Sequence, residues 1–197
     1  MNLPNKITVS RLVLSVIILI ILVVPLNDFG LGFPKILVGG KVLVDIKYIV
    51  SGILFIIASC TDFIDGHIAR KYNLVTDFGK VMDAIADKVL VNGVLIILSA
   101  TGFISVIVPV VIISRDTIVD SIKMVVGNKN GAVGASITGK IKTIFMMIGV
   151  SLMLFYNLPF ELWNLRIADL LILTATVLSV VSGIEYYVKN KKFLFEK

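Results

Sequence analysis

The chain has 197 residues, of which 57% are hydrophobic, and a mean hydropathy of +1.01, which exceeds the roughly 45–50% apolar content of soluble domains and excludes an ordinary soluble protein. The length suits a single domain over residues 1–197. The formal net charge of +6 fits anionic lipid head groups or anionic substrates, and nucleic acid is excluded as a partner because no compact basic and aromatic surface appears outside the apolar runs.

The first apolar run, Ile7 to Leu26, follows Lys6 and carries Arg11 near its start. No small-x-small cleavage site follows Pro25, so the run is expected to be a retained span and not a secretory signal. Leu3-Pro4-Asn5 ahead of it reads as an interfacial turn, with Thr8 and Arg11 at the same end of the span. Residues Asn27 to Lys47 are rich in glycine and mixed in charge, a loop with a short hairpin around Gly39-Gly40. The second run, Tyr48 to Thr61, leads straight into Asp62, and with the residues after it is long enough to span at about 1.5 Å per residue. Cys60, the single cysteine, rules out an intramolecular disulfide and is expected to be a small buried side chain. Asn73 to Asp77 makes a bend, with Thr76 a candidate N-cap for the next helix.

The third span runs from about Asp77 to Ala100 and is closed by Thr101-Gly102. The fourth, Ile104 to Val126, carries Arg115 and Asp116 near its middle and Asp120 and Lys123 towards its end. Gly127 to Gly131, with Gly134 and Gly139, reads as a flexible basic connection. The fifth span, from near Ile137 to near Leu158, stops before Pro159, and Trp163 beyond it reads as an interfacial anchor. The sixth covers about Ala168 to Val188 and is followed by Lys189, Lys191 and Lys192. The expected fold is therefore all-α, a polytopic membrane protein with six transmembrane helices. Basic residues crowd the two termini, the surroundings of Asp62 to Asp87 and the fourth-to-fifth connection, whereas only Lys35, Lys41, Lys47 and Arg166 fall at the other ends of the spans. The positive-inside bias then makes the N- and C-termini cytoplasmic.

The chemistry is concentrated between Asp62 and Asp87. The pattern is D-x2-D-G-x2-A-R-x8-G-x3-D-x3-D, filled by Asp62, Asp65, Gly66, Ala69, Arg70, Gly79, Asp83 and Asp87. Asp62 and Asp65 stand three apart and Asp83 and Asp87 four apart, so each pair shares one face of a helix. Carboxylates brought together at the facing ends of two membrane helices repel one another, and unpaired, at least one would take up a proton. Mg²⁺ or Mn²⁺ removes the conflict, since both prefer oxygen ligands and bridge carboxylates to phosphate. Four such acids suit two ions about 3.5–4 Å apart. A plain charged loop between two spans is the competing reading, and it leaves acids at helical spacing unexplained.

The pattern resembles the signature of the CDP-alcohol phosphotransferase family, with every specified position filled. What the resemblance implies is a membrane-embedded phospholipid-synthesising transferase whose donor is CDP-diacylglycerol and whose diphosphate bridges two Mg²⁺ (or Mn²⁺) held by Asp62, Asp65, Asp83 and Asp87. It also implies that Asp87 is the general base. Gly66, Ala69 and Gly79 would leave room for the nucleotide, Arg70 would take a phosphate, and Thr76 would contact the donor. The Pro-Asn-x-x-Thr-x-x-Arg stretch at Pro4 is similar to one in the phosphatidylglycerophosphate synthases of that family, placing Asn5, Thr8 and Arg11 beside the nucleotide-lipid site. An ordinary helix start with a snorkelling Arg11 is the alternative.

Gly139-Lys140-Ile141-Lys142-Thr143 also resembles a stretch of those synthases. With Arg115 and Lys123, Lys140 and Lys142 would bind the phosphate of sn-glycerol 3-phosphate, giving a phosphatidylglycerol precursor and CMP. Simple pairing of Arg115 with Asp116 or Asp120 is the other reading of that arginine. Asp116, Lys123 and Ala84 depart from the residues expected at those places (Glu, Arg and Pro), which leaves a different acceptor open: inositol phosphate, serine or phosphatidylglycerol. A divalent-cation transporter is the rival from another class, but its ion site belongs near the midplane. The resemblance further implies a homodimer, while the apolar runs imply a multi-pass protein of the cell membrane among membrane lipids, and the positive-inside bias puts the active site on the cytoplasmic face. His67, the only histidine, falls at an unspecified position of the pattern.

Overall fold

The computed structural model describes residues 3–25, 30, 32–72, 76–130 and 136–195; the side chains of 3–4, 63–65, 67–70, 77, 80, 128–130 and 192–195 lie outside that description. The expected bend at 73–75, the chain at 26–29 and the connection at 131–135 fall outside the described residues.

Helices dominate. In chain order they are α1 (Leu3–Val23), a hairpin of β1 (Lys35–Val38) and β2 (Val42–Asp45), α2 (Ile46–Lys71), α3 (Asp77–Ala100), α4 (Ile107–Asn130), α5 (Ile137–Leu154), a 3-10 turn (Phe160–Trp163) and α6 (Ile167–Phe195). Among the described residues three helices are long and apolar enough to cross a membrane, within Asn5–Val23, Ile137–Leu154 and Ile167–Lys191. Charged residues are sparse on α1 and α5 and more frequent on α2, α3, α4 and α6, where those of α6 lie near its two ends.

Several boundaries differ from the sequence expectation for physical reasons. α1 stops at Val23 because Pro25 disfavours helix in the residue before it. α4 starts at Ile107 and not Ile104, with Pro109 in its first turn, where a missing N–H costs nothing. It then stays helical to Asn130, through Gly127 to Asn130, which the sequence suggested as a flexible connection. α5 ends at Leu154, four residues before Leu158, because Tyr156 and Asn157 take left-handed φ values of 57° and 53°. Asn157 is buried and ties the turn to α6, accepting from the Ala168 N–H at 3.1 Å and donating to the Leu165 carbonyl at 2.6 Å. The hairpin pairs Lys35 with Asp45 and Val38 with Val42, and its turn places Gly39 and Gly40 at φ 60° and 67°. Cys60, expected to be buried, is exposed.

The helices form a closed ring in the order α1, α2, α5, α6, α4, α3. Two three-helix halves can be distinguished, α1 between α2 and α3, and α6 between α4 and α5, meeting at thinner seams between α2 and α5 and between α3 and α4. Ile18, Phe55, Val94, Leu98, Ile112 and Val150 are buried in the shared core. Close approach within each half depends on glycine. A Cβ on Gly93 of α3 would lie 2.6 Å from Leu19 of α1, and one on Gly149 of α5 would lie 2.8 Å from the Ile172 side chain and 3.2 Å from its backbone nitrogen on α6.

Gly149→Ala therefore forces α5 and α6 apart, with an expected cost of about 1–3 kcal/mol for overpacking. Gly127, with nothing within 4 Å of its Cβ position, is the control. Thermal unfolding in detergent should show a lower midpoint for Gly149→Ala and no loss for Gly127→Ala.

Candidate functional site

One end of the ring collects the polar groups. Asn5, Thr8 and Arg11 lie on one face of α1, each buried, Arg11 to 2% exposure. A guanidinium that deep needs acids around it. Nη1 of Arg11 pairs with Asp62 on α2, and Nη2 donates to Oδ1 of Asp83 on α3 at 3.0 Å. One cation thus joins three helices. Asp62 lies beside Asp83 and near Asp87, so the three carboxylates share one electrostatic cluster.

The start of α3 is built against the same face. The Thr76 hydroxyl accepts from the Gly79 N–H at 3.0 Å, as an N-cap should, and donates to Oδ1 of Asn5 at 3.1 Å. A Cβ on Gly79 would come within 2.7 Å of that same Asn5 oxygen, so glycine is what lets α1 and α3 meet there. Gly66 is half-buried on α2. The side chains of Asp65, His67, Ala69 and Arg70 lie outside the described residues.

Do these acids fit divalent metal? Asp62 and Asp83 come from different helices, both offer hard oxygen, and their side chains remain 36% and 52% exposed despite Arg11. That leaves carboxylate oxygen open to a hard cation. Among the described residues no three acidic, cysteine or histidine side chains converge as a ready-made metal site, and Asp65 lies outside them. The donor set fits.

Next to the acids, between α3, α4, α5 and α6, is a cavity of about 190 Å³ whose lining includes Asp87, Arg115, Asp116, Lys123, Lys142 and Tyr186. Its cations are ordered by named partners. Arg115 Nη1 donates to Asp116 at 2.7 Å, Nε to the Ser179 carbonyl at 3.1 Å, and Nη2 to Ser182 Oγ at 2.7 Å. Gly183 makes room, since a Cβ there would lie 3.0 Å from Arg115 Cγ. Lys142, buried to 8% exposure, donates to both Asp116 oxygens at 3.1 and 3.0 Å. Lys123 lies 3.7 Å from Asp120 and over the Tyr186 ring, and Lys88 pairs with Asp120 as well. Lys140 is exposed on α5 and does not line this cavity. A second cleft, of about 40 Å³, shares Asp87, Asp116 and Lys142.

A third space is apolar. A groove of about 730 Å³ between α2 and α5 runs from Asp62 and Cys60 past Met147 to Phe155. The sequence reading missed this groove, and it missed Ser179, Ser182 and Gly183 as the seat of Arg115. Their i, i+3, i+4 spacing of small residues on an otherwise apolar α6 is the signal that could have found them.

The sequence model described as CDP-alcohol phosphatidyltransferase matches residues 1–183. The CDP-diacylglycerol–glycerol-3-phosphate 3-phosphatidyltransferase of Bacillus subtilis (strain 168) is 44% identical, covering 96% of this chain and 95% of its own. The protein of the same name from Rickettsia bellii (strain RML369-C) is 31% identical over 98% of this chain and 97% of its own. A probable phosphatidylglycerophosphate synthase of Mycobacterium tuberculosis (strain CDC 1551 / Oshkosh) is 34% identical over 70% of this chain and 64% of its own.

Thr76→Ala removes the α3 cap and the donor to Asn5 together, with an expected loss of about 0.5–2 kcal/mol. Thr76→Ser keeps both bonds. Thermal unfolding should separate the two variants, and amide exchange should speed up in the first turn of α3 in the alanine variant alone.

Proposed function

The chain belongs to the CDP-alcohol phosphatidyltransferase family, a family of transferase enzymes that generally depend on divalent metal, and from that premise we propose that it makes a phosphatidylglycerol precursor. The reaction is transfer of the phosphatidyl group of CDP-diacylglycerol to sn-glycerol 3-phosphate, with release of CMP, the activity printed in the names of its relatives. The observation that carries this reading is the position of Asp87. Among the described residues it is the one acid common to the carboxylate cluster and to the cavity of cations.

The donor half is α1, α2 and α3. Asp62, Asp65, Asp83 and Asp87 would hold two Mg²⁺ or Mn²⁺ ions, which when bound supply charge neutralisation at the diphosphate. Arg11 spaces Asp62 from Asp83. Arg70 takes a phosphate oxygen, while Asn5, Thr8, Gly66, Ala69, Thr76 and Gly79 shape the nucleotide side. The groove between α2 and α5 starts at Asp62 and offers the acyl chains an apolar bed beside the head group.

The acceptor half is α4, α5 and α6. Arg115, Lys123 and Lys142 attract the phosphate of the acceptor and aim its free hydroxyl at Asp87. The hydroxyl oxygen attacks the phosphorus that bears diacylglycerol, its proton passes to the Asp87 carboxylate, and the bond from that phosphorus to the oxygen of CMP breaks. Six transmembrane helices are read from the apolar runs, and cytoplasmic termini with a cytoplasmic active site from the basic residues gathered at this end, within reach of a soluble acceptor.

Purified protein with CDP-diacylglycerol and manganese or magnesium should release CMP with sn-glycerol 3-phosphate, and far less with inositol phosphate, serine or phosphatidylglycerol. A different preferred acceptor would overturn the substrate assignment. Asp87→Asn should cut turnover by about 10²–10⁴-fold, the usual range for losing a general base. Turnover at the wild-type rate would remove Asp87 from that role. In the same assay Lys142→Met should raise the acceptor KM, whereas Lys140→Met, away from the cavity, should change it little; equal effects would sink the proposed pocket.

A further inference from the structure

At the far end of the ring lies a cavity that the reaction does not use. It holds about 310 Å³ and is lined by Lys35, Asp45, Lys47, Tyr48, Phe103 and Tyr156. Tyr48 and Asp62 are separated by fourteen residues of α2, about 21 Å at 1.5 Å per residue, so this space is remote from the acids.

Three features mark it as more than a gap between loops. Tyr156 is an aromatic residue held at φ 57°, a conformation that costs on the order of 1–3 kcal/mol and persists only when its surroundings enforce it. Its ring packs edge-on against Tyr48 at 5.6 Å and Phe103 at 5.3 Å, and its hydroxyl oxygen accepts the Asp45 N–H at 3.1 Å. Burial holds the Tyr156 phenol above its usual pKa, so its proton stays available for donation. Secondly, neither Lys35 nor Lys47 makes a salt bridge among the described residues; Lys47 lies over the Tyr48 ring at 5.2 Å. Asp45 is the single acid in the lining, and it is engaged in accepting the Lys47 N–H at 3.0 Å. The cavity therefore carries an excess of positive charge with a hydroxyl donor between. Thirdly, apolar side chains stand exposed on the same face of the hairpin: Leu43, which lines the cavity, and Leu37, paired with it, are 57% and 58% exposed. Trp163 is 66% exposed, in a turn whose Leu162 packs on Gly39 of the hairpin.

Two lysines that make no salt bridge among the described residues, with a phenol beside them, match a phosphate; exposed apolar side chains next to them match lipid chains. We propose that this cavity binds the phosphate of an anionic phospholipid in the leaflet opposite the catalytic face. The inference rests on the membrane placement proposed above. It explains why lysines sit at the end of the bundle that the positive-inside bias leaves poor in them.

Trp163 is the only tryptophan of the chain, so its fluorescence reports lipid at this end alone. The full chain is placed in phosphatidylcholine nanodiscs containing an equal small fraction of acyl-brominated phosphatidylglycerol or acyl-brominated phosphatidylcholine. Brominated phosphatidylglycerol should quench Trp163 severalfold more. Lys35→Gln with Lys47→Gln should abolish that preference while CMP release is unchanged, and Lys41→Gln, on the same hairpin but outside the cavity, should preserve it. Equal quenching by both lipids would overturn the proposal, as would equal sensitivity to Lys41→Gln, which means diffuse surface charge. Loss of the preference on adding free glycerol phosphate would also overturn it, in favour of a soluble anion. Quenching by neither lipid would overturn the membrane placement itself, an outcome distinct from the loss of head-group selectivity.

Discussion

Arg11 is the interaction on which the site end depends. A guanidinium on an apolar helix must find acids, and acids on neighbouring helices must find a cation; Asp62, Asp83 and Arg11 satisfy both demands at once. The two acids are partly exposed, so solvent screens the pairs and their net contribution to stability is modest. Their effect is on position. With one nitrogen on α2 and another on α3, Arg11 sets the separation of two carboxylates that would otherwise repel, while α1 supplies Asn5 to the cap of α3 one turn and a half away.

The other half of the ring carries the inverse arrangement. There an acid, Asp116, sits between two cations, Arg115 and Lys142. Around Arg11 negative charge is in excess, which suits cations bridging a diphosphate; around Asp116 positive charge is in excess, which suits a phosphate arriving from water. The proposed reaction needs both fields side by side and separate, since an excess of lysine among the aspartates would compete with metal. Asp87 lies where they meet. A base there feels the donor on one side and the acceptor on the other, which a base buried wholly in either half would not.

Much of this was legible in the sequence because it depends on local pattern. Helical spacing of acids, apolar runs of spanning length and the glycines of a tight hairpin all act over a few residues, and α2, α3 and the hairpin lie close to where pattern puts them. What could not be read is pairing between helices. Nothing local says that Arg115 will point at α6, that Ser182 will receive it, or that Lys142 will choose Asp116 over solvent. The same blindness misjudged Cys60: an apolar run names residues that avoid water, but not which face opens on a groove. The end of α5 was missed for a different reason. Tyr156 and Asn157 leave the helical region because Asn157 is needed to hold the start of α6, a tertiary demand that outweighs the local preference to continue.

The unequal closure of the ring gives the site its access. At the far end the Tyr48–Phe103–Tyr156 cluster joins the first half to the second, and the Asn157 bonds fasten the turn after α5 to the start of α6. Within each half, glycine lets helices pack too closely to part, as Gly93 does for α1 and α3 and Gly149 for α5 and α6. The thinner seams are those between the halves, and they differ in lining. The seam of α2 and α5 is a long apolar groove that ends at Asp62; the seam of α3 and α4 borders the cation-lined cavity. In the proposed reaction the apolar groove suits the lipid donor, with its head group beside the acids, and the cation-lined cavity suits the phosphorylated alcohol, so the two substrates take separate paths. That division follows from where the packing is tight and where it is not.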